Sequence, residues 1–120
     1  MAVRAIRGAT QVDADDRDQV LEATRELVSA VIERNGLGHD DVISILFTAT
    51  PDLTSEFPAL AARELGLGEV PLMCATEIAV PHALPRVLRL MAHVETSRSR
   101  AEVQHVYLRG AVALRRDIAQ

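Results

Sequence analysis

The sequence predicts an α+β fold, a mixed β-sheet carrying its helices on one face. Two helical patterns alternate with extended segments in the first half of the chain, and extended segments dominate the second. Pro81 and Pro85 exclude a regular helix across residues 80–86, and the last strands are expected to pair as antiparallel hairpins. With 120 residues, 48% of them hydrophobic, a single core is the stable solution, because two would leave each half too small to hold together. Residues 1–120 are therefore expected to form one domain.

The elements follow in order. VRAIRGATQV, residues 3–12, reads as a strand of β-branched and small residues, with Gly8 marking a place where a neighbour approaches the backbone closely. Asp16, with Gln19 three residues on, is set to cap a helix in which Val20, Leu21, Thr24, Leu27, Val28, Val31 and Ile32 recur at helical spacing. Asn35 and Gly36 end it, since glycine accepts the left-handed conformation without steric cost. DVISILFTAT, 41–50, is almost continuously apolar or β-branched, the pattern of a central strand covered on both faces. Pro58 and Gly66 bracket a short helix, PALAAREL, and EVPLMCATEI, 69–78, is extended. VLRLMAHVET, 87–96, is rich in helix formers, yet Leu88, Leu90, Ala92 and Val94 alternate at period two. A strand is the reading chosen, with Arg89, Met91, His93 and Glu95 on its opposite face. A polar connection at 97–104, a short strand HVYL at 105–108 and one closing helical turn, GAVALRRD at 110–117, complete the chain.

Composition narrows the function. A formal charge of −4 argues against a broad phosphate-neutralising surface, so neither nucleic acid nor an anionic membrane is an expected partner. No apolar run approaches the roughly 20 residues that span a bilayer. The opening MAVRAIRGAT lacks a signal-like apolar stretch, which points to the cytoplasm. Phe47, Phe57 and Tyr107 are the only aromatic residues, too few to stack nucleobases. An aliphatic core of this size gains burial by oligomerising.

The usual catalytic devices are missing from the pattern. His39, His82, His93, His105 and Cys74 show no close ligand pair, so no metal site is expected, and Cys74 has no evident partner base. Gly66 and Gly68 follow a helix rather than precede one, which is the wrong order for a phosphate-cradling loop. What stands out is arginine, which supplies all thirteen basic residues. Arg7 and Arg89 interrupt apolar extended segments, where a guanidinium is costly unless an anion meets it. For either arginine alone a structural ion pair with Glu77 or another acid is the favoured reading, but the two together are harder to dismiss. Arg63, Arg115 and Arg116 lie near helix or chain ends, where a solvated charge is the ordinary reading.

Six segments in order then resemble the AroH-class chorismate mutases: VRAIRGAT at 3–10, TATPDL at 48–53, FPALAARELG at 57–66, VPLMCATEI at 70–78, VLRLMAHVET at 87–96 and HVYLRGAVALRRD at 105–117. The resemblance implies that family's fold, a homotrimer forming a pseudo α/β barrel with three active sites at the subunit interfaces. It implies the Claisen rearrangement of chorismate to prephenate, with no cofactor, metal or covalent intermediate, in aromatic amino acid biosynthesis. Arg89 matches the arginine that donates to the ether oxygen as the bond breaks. Arg7 matches the residue that holds a carboxylate, with Tyr107 donating a hydrogen bond nearby. Glu77 and Cys74 match the pair that engages the ring hydroxyl, and Met73, Cys74, Ala75 and Thr76 match the pocket floor. Phe57 and Arg63 match residues of the loop that closes against the neighbouring subunit, and Arg115 matches a basic group near the C-terminal end.

The chain departs from the family pattern at Leu60, where a lysine is common, and at Met73, which replaces a small polar residue. It stops at Gln120, so closure of the pocket is expected to depend more on Arg115. The rival reading is a trimeric module that binds a carboxylate metabolite without turning it over. A protein–protein interaction subunit ranks below both.

Overall fold

Alternating apolar residues build the sheet, and the helices cover one side of it. In the computed structural model, which describes residues 1–115, the strands are β1 (Ala2–Gln11), β2 (Val42–Ala49), β3 (Leu72–Thr76), β4 (Val87–Thr96) and β5 (Val106–Tyr107). Their order across the sheet is β3-β2-β4-β1-β5. β4 runs antiparallel to both of its neighbours, β1 and β2, while the edge strands β3 and β5 run parallel to β2 and β1.

The strand expected at 87–96 forms with those bounds, burying Leu88, Leu90, Ala92 and Val94 and leaving Arg89, Met91, His93 and Glu95 on the other face. The expected terminal hairpins do not form. β2 lies between β3 and β4, and β1 lies between β4 and β5. Tight hairpins use connections of about two to five residues. The connections 77–86 and 97–105 are longer, and each carries the chain past one strand to a partner already in place. β2 is therefore an interior strand, but β4 takes the centre. Nor is β2 covered on both faces: Val42, Ile45 and Phe47 are buried, while Ile43 and Leu46 are exposed, because both helices lie on the same side.

Helix α1 (Arg17–Arg34) starts where Asp16 accepts a hydrogen bond from the Gln19 amide at 3.1 Å. The Gln19 side chain accepts from the Ala14 amide at 3.3 Å instead of reaching back to Asp16. At the far end Asn35 donates to Val31 and Gln104 carbonyls and accepts from the Gln104 amide, tying the helix to the approach of β5. Leu27, Val28 and Val31 then pack on Ile6, Phe47 and Leu90 of the sheet. A Cβ on Gly8 would lie 3.1 Å from Leu27 and 3.2 Å from Leu90, so α1 seats closely because this position has no side chain.

The helix expected at 58–65 is divided. Helix α2 (Pro58–Ala62) runs into a π-helical turn, Arg63–Leu67, because Gly66 at φ 96° leaves the helical region. A 3₁₀ turn, Arg109–Leu114, folds back over β1 and covers Tyr107 and Ala9. Gly110 packs against the end of the Gln11 side chain in this turn. Arg116 and Asp117, the rest of the expected closing turn, lie outside the described residues.

Candidate active site

Register sets the geometry of the face that the helices leave open. Ala75, Thr48, Arg89, Ala9 and Tyr107 form one line across all five strands, and Met73, Leu46, Met91 and Arg7 form the next. Arg89 has Ala9 beside it on β1 and Thr48 beside it on β2. A recess of about 340 Å³ opens there, lined by Arg7, Thr48, Glu77, Arg89, Tyr107 and Arg115, with Gly8, Leu46, Leu90 and Met91 as its apolar walls. Arg7 and Arg89 make no ion pair among the described residues.

Each wall of the recess has a structural cause. Glu77 follows the end of β3, where its amide donates to the Ala49 carbonyl at 2.9 Å and its carboxylate accepts from the Thr48 hydroxyl. Tyr107 is buried against Ala9, Ala111 and Leu114 at the edge of the recess it lines. Arg109, at φ 52°, pairs with Glu26 of α1 at 3.4 Å and anchors the turn that delivers Arg115. His105 accepts from the Arg7 amide at 2.9 Å. Burial, followed by the nearby Arg7 and Arg115 charges, pushes its imidazole below the ordinary histidine value.

Not all expected site residues meet. Phe57, Cys74, Ala75 and Thr76 line a separate recess of about 320 Å³. For Cys74 the reason is strand alternation, since it pairs with the buried Phe47 on the helix side, whereas Ala75, opposite Thr48 on the open side, borders the second recess from the edge strand β3. Cys74 and Glu77 are thus not brought together within one chain. Met73 is 65% exposed on the open face and Phe57 is 67% exposed on its loop. Arg63 is exposed at the end of α2, close enough to Glu56 to help hold that carboxyl below its ordinary value, after the Phe57 amide and Arg17. Leu60, where a lysine is common in the family, is half-buried in α2 and lines none of these recesses. Among the described residues no group of three His, Cys, Asp or Glu side chains could hold a metal ion. None of the described helices is long and apolar enough to cross a membrane.

Sequence reasoning missed Thr48. A threonine in a strand carries no signal beyond β-propensity, and its partner Glu77 is known only once β2 and β3 are paired in parallel. It also missed Asp15, whose carboxylate accepts from the Thr54 amide and hydroxyl and from the Ser55 amide, at 3.0–3.1 Å. Those bonds hold the loop that carries Phe57.

A recess with two guanidiniums that have no ion pair among the described residues, a carboxylate and a phenol fits a dianionic ligand, and comparison with known proteins agrees. Residues 3–118 match the family model for chorismate mutase type I. The chain belongs to that family. It is 47% identical to chorismate mutase AroH of Thermus thermophilus, over 97% of this chain and 96% of that protein. It is 41% identical to chorismate mutase AroH of Bacillus subtilis, over 99% of this chain and 94% of that one. A solved chorismate mutase from Clostridium thermocellum superposes with a TM-score of 0.90 at 45% identity, covering 92% of this chain and 98% of its own. The activity is that of a chorismate mutase, an isomerase of aromatic amino acid biosynthesis with chorismate as substrate and prephenate as product. The binding-module alternative has nothing in its favour.

Proposed function

We propose that this chorismate mutase works as a cytoplasmic homotrimer, with one catalytic domain per subunit, and accelerates the rearrangement by electrostatics and positioning alone. In chorismate the ether carbon–oxygen bond breaks as a carbon–carbon bond forms, and negative charge builds on the oxygen midway. Arg89 is assigned to that oxygen. A fixed guanidinium attracts it more strongly in the transition state than in the ground state, which raises turnover rather than mere affinity. Arg7 takes a substrate carboxylate and Tyr107 donates beside it, so that the reacting carbons are held in the compact, chair-like conformer. Glu77 engages the ring hydroxyl, and Arg115 closes over the ligand. The electron pairs move within the substrate, so the protein forms no bond to it.

The observation that carries this reading is Arg7 and Arg89 in one recess, neither with an ion-pair partner among the described residues. Two such charges await an anion.

The trimer accounts for the second recess. If the β3 edge of one subunit lies against the Arg89 recess of the next, Phe57, Arg63 and the floor Met73–Thr76 complete the pocket from across the interface. Cys74 then approaches the ring hydroxyl from the side opposite Glu77. Val3, Leu46, Met73 and Met91 support this arrangement, being apolar side chains on the open face that a monomer leaves in water.

The test is prephenate formation by wild type and Arg89→Ala, with the mass of each in solution. A rate enhancement of ~10⁶ corresponds to about 8 kcal/mol, and one well-aimed donor supplies about 3–4 kcal/mol of such a total. Arg89→Ala is expected to lose at least about a hundredfold in kcat. A trimeric variant with near-normal turnover would remove Arg89 from its role, and a fully active monomer would remove the shared pocket.

A further inference from the structure

Hydrogen bonds from the ends of β1 and β2 converge on a strained residue just ahead of β4. Arg86 holds φ at 52°, in the left-handed region that a side chain as large as arginine seldom enters. Its amide donates to both carboxylate oxygens of Asp52, at 3.2 and 3.0 Å. Its carbonyl accepts from the Val12 amide at 3.0 Å, and its Nε donates to the Val12 carbonyl at 3.0 Å.

Asp52 does more than hold that amide. Its Oδ1 accepts from the Thr50 hydroxyl at 2.5 Å, and the Thr50 oxygen in turn accepts from the amide of Val87, the first residue of β4, at 3.0 Å. The Thr50 amide donates to the Val87 carbonyl at 3.0 Å, so one residue meets both backbone groups of Val87. A hydroxyl has a single hydrogen. With that hydrogen committed to Asp52, the lone pairs of Thr50 are left to the Val87 amide, and the carboxylate thereby directs the bond that starts β4.

The anchored turn sits between two site residues. The connection 77–86 leaves β3 at Glu77, whose amide is fixed to the Ala49 carbonyl, and re-enters the sheet through Arg86. Arg89 follows three residues later, opposite Thr48, the partner of Glu77. A rotation at Arg86 therefore moves Arg89 relative to a Glu77 that is anchored separately, on β2. Misplacing a group by about 1 Å from a distance can cost on the order of a hundredfold in rate.

We propose that Asp52 is a positioning residue for the mutase reaction. Acting through Thr50 and Arg86, it fixes the start of β4 and so aims Arg89 at the breaking bond, which rests on the role proposed above for Arg89. Asp52 lines neither of the two recesses, so it acts through the backbone and not on the ligand.

The test is a double-mutant cycle between Asp52→Ala and Arg89→Ala, read as kcat and KM for chorismate well below each thermal midpoint, with the assembly state of each variant checked. Asp52 is exposed, so its truncation opens no cavity, and Asp52→Ala is expected to fold and assemble. It should lose roughly five- to tenfold in kcat, with KM changed by less than about twofold. In the Arg89→Ala background the same substitution should cost less than about twofold, because the group it aims is gone. Asp52→Asn keeps an acceptor for the Arg86 amide and should recover most of the turnover. A merely structural role would lower the midpoint of Asp52→Ala and leave the kcat of the folded protein at the wild-type value, and that result overturns the proposal. Equal losses with and without Arg89 overturn it too, since Asp52 would then act on another part of the site. A fault in the reading of Arg89 itself shows differently, as near-normal prephenate formation by Arg89→Ala alone, and the proposal falls with it.

Discussion

Thr48 donates its hydroxyl hydrogen to Glu77 Oε2 from the position on β2 that lies directly beside Arg89. The hydrogen bond holds a flexible carboxylate, rooted beyond the end of β3, at a fixed place on the rim of the recess. Thr48 is thus a positioning residue, acting through Glu77.

Thr48→Val keeps the shape of the side chain and removes the donor. Its expected effect is a loss of roughly tenfold in kcat with the thermal midpoint nearly unchanged, since the position faces outward and leaves no buried group unpaired. Thr48→Ser should restore turnover by restoring the hydroxyl. Wild-type kcat in Thr48→Val would mean that Glu77 finds its place without this bond.

Asp15 ties the start of α1 to the loop that carries Phe57, through three donors of Thr54 and Ser55. The adjacent Ser55 side chain first, and after it the Thr54 amide and hydroxyl and the Ser55 amide, hold its carboxyl below the ordinary aspartate value. Because the folded value is depressed, the tether persists above it and is lost only as acid protonates the group well below neutral pH. Asp15→Ala should reproduce that loss at neutral pH, raising KM by about two- to fivefold while kcat stays near wild type. Steady-state kinetics at pH 7.5 provide the check. An unchanged KM would show that the Phe57 loop holds its position by other means.

These tethers mark where sequence reading stops. Leu88, Leu90, Ala92 and Val94 betray a strand by their period, and Arg7 and Arg89 stand out because a guanidinium is anomalous in such a setting. Which strand lies beside which is another matter. β5 joins β1 across about a hundred residues of chain, and no local turn encodes that pairing. Gly8 is the exception, a long-range contact announced by a missing side chain and met by Leu27 and Leu90. The split between Cys74 and Glu77 follows from simple alternation once β3 is placed, yet motif resemblance alone joins them.

His105 yields the remaining prediction, in which pH enters through the fold. Its neutral Nδ1 accepts the Arg7 amide, and both burial and the Arg7 and Arg115 charges disfavour the imidazolium, so its folded pKa lies below the ordinary value. The unfolded chain, with histidine near 6.5, then binds more protons than the folded one at pH values between the two. Stability is accordingly undiminished above about pH 7 and declines as pH falls below about 6.5 toward the folded value. His105→Asn keeps an acceptor for the Arg7 amide but does not titrate. The difference in thermal midpoint between pH 7.5 and pH 5.5 should be smaller in that variant than in wild type, and equal differences would exclude His105 as the cause. A dianion bound at Arg7 offsets part of the repulsion that keeps His105 neutral. Ligand should therefore raise the midpoint of wild type more at pH 5.5 than at pH 7.5, and the excess should disappear in His105→Asn.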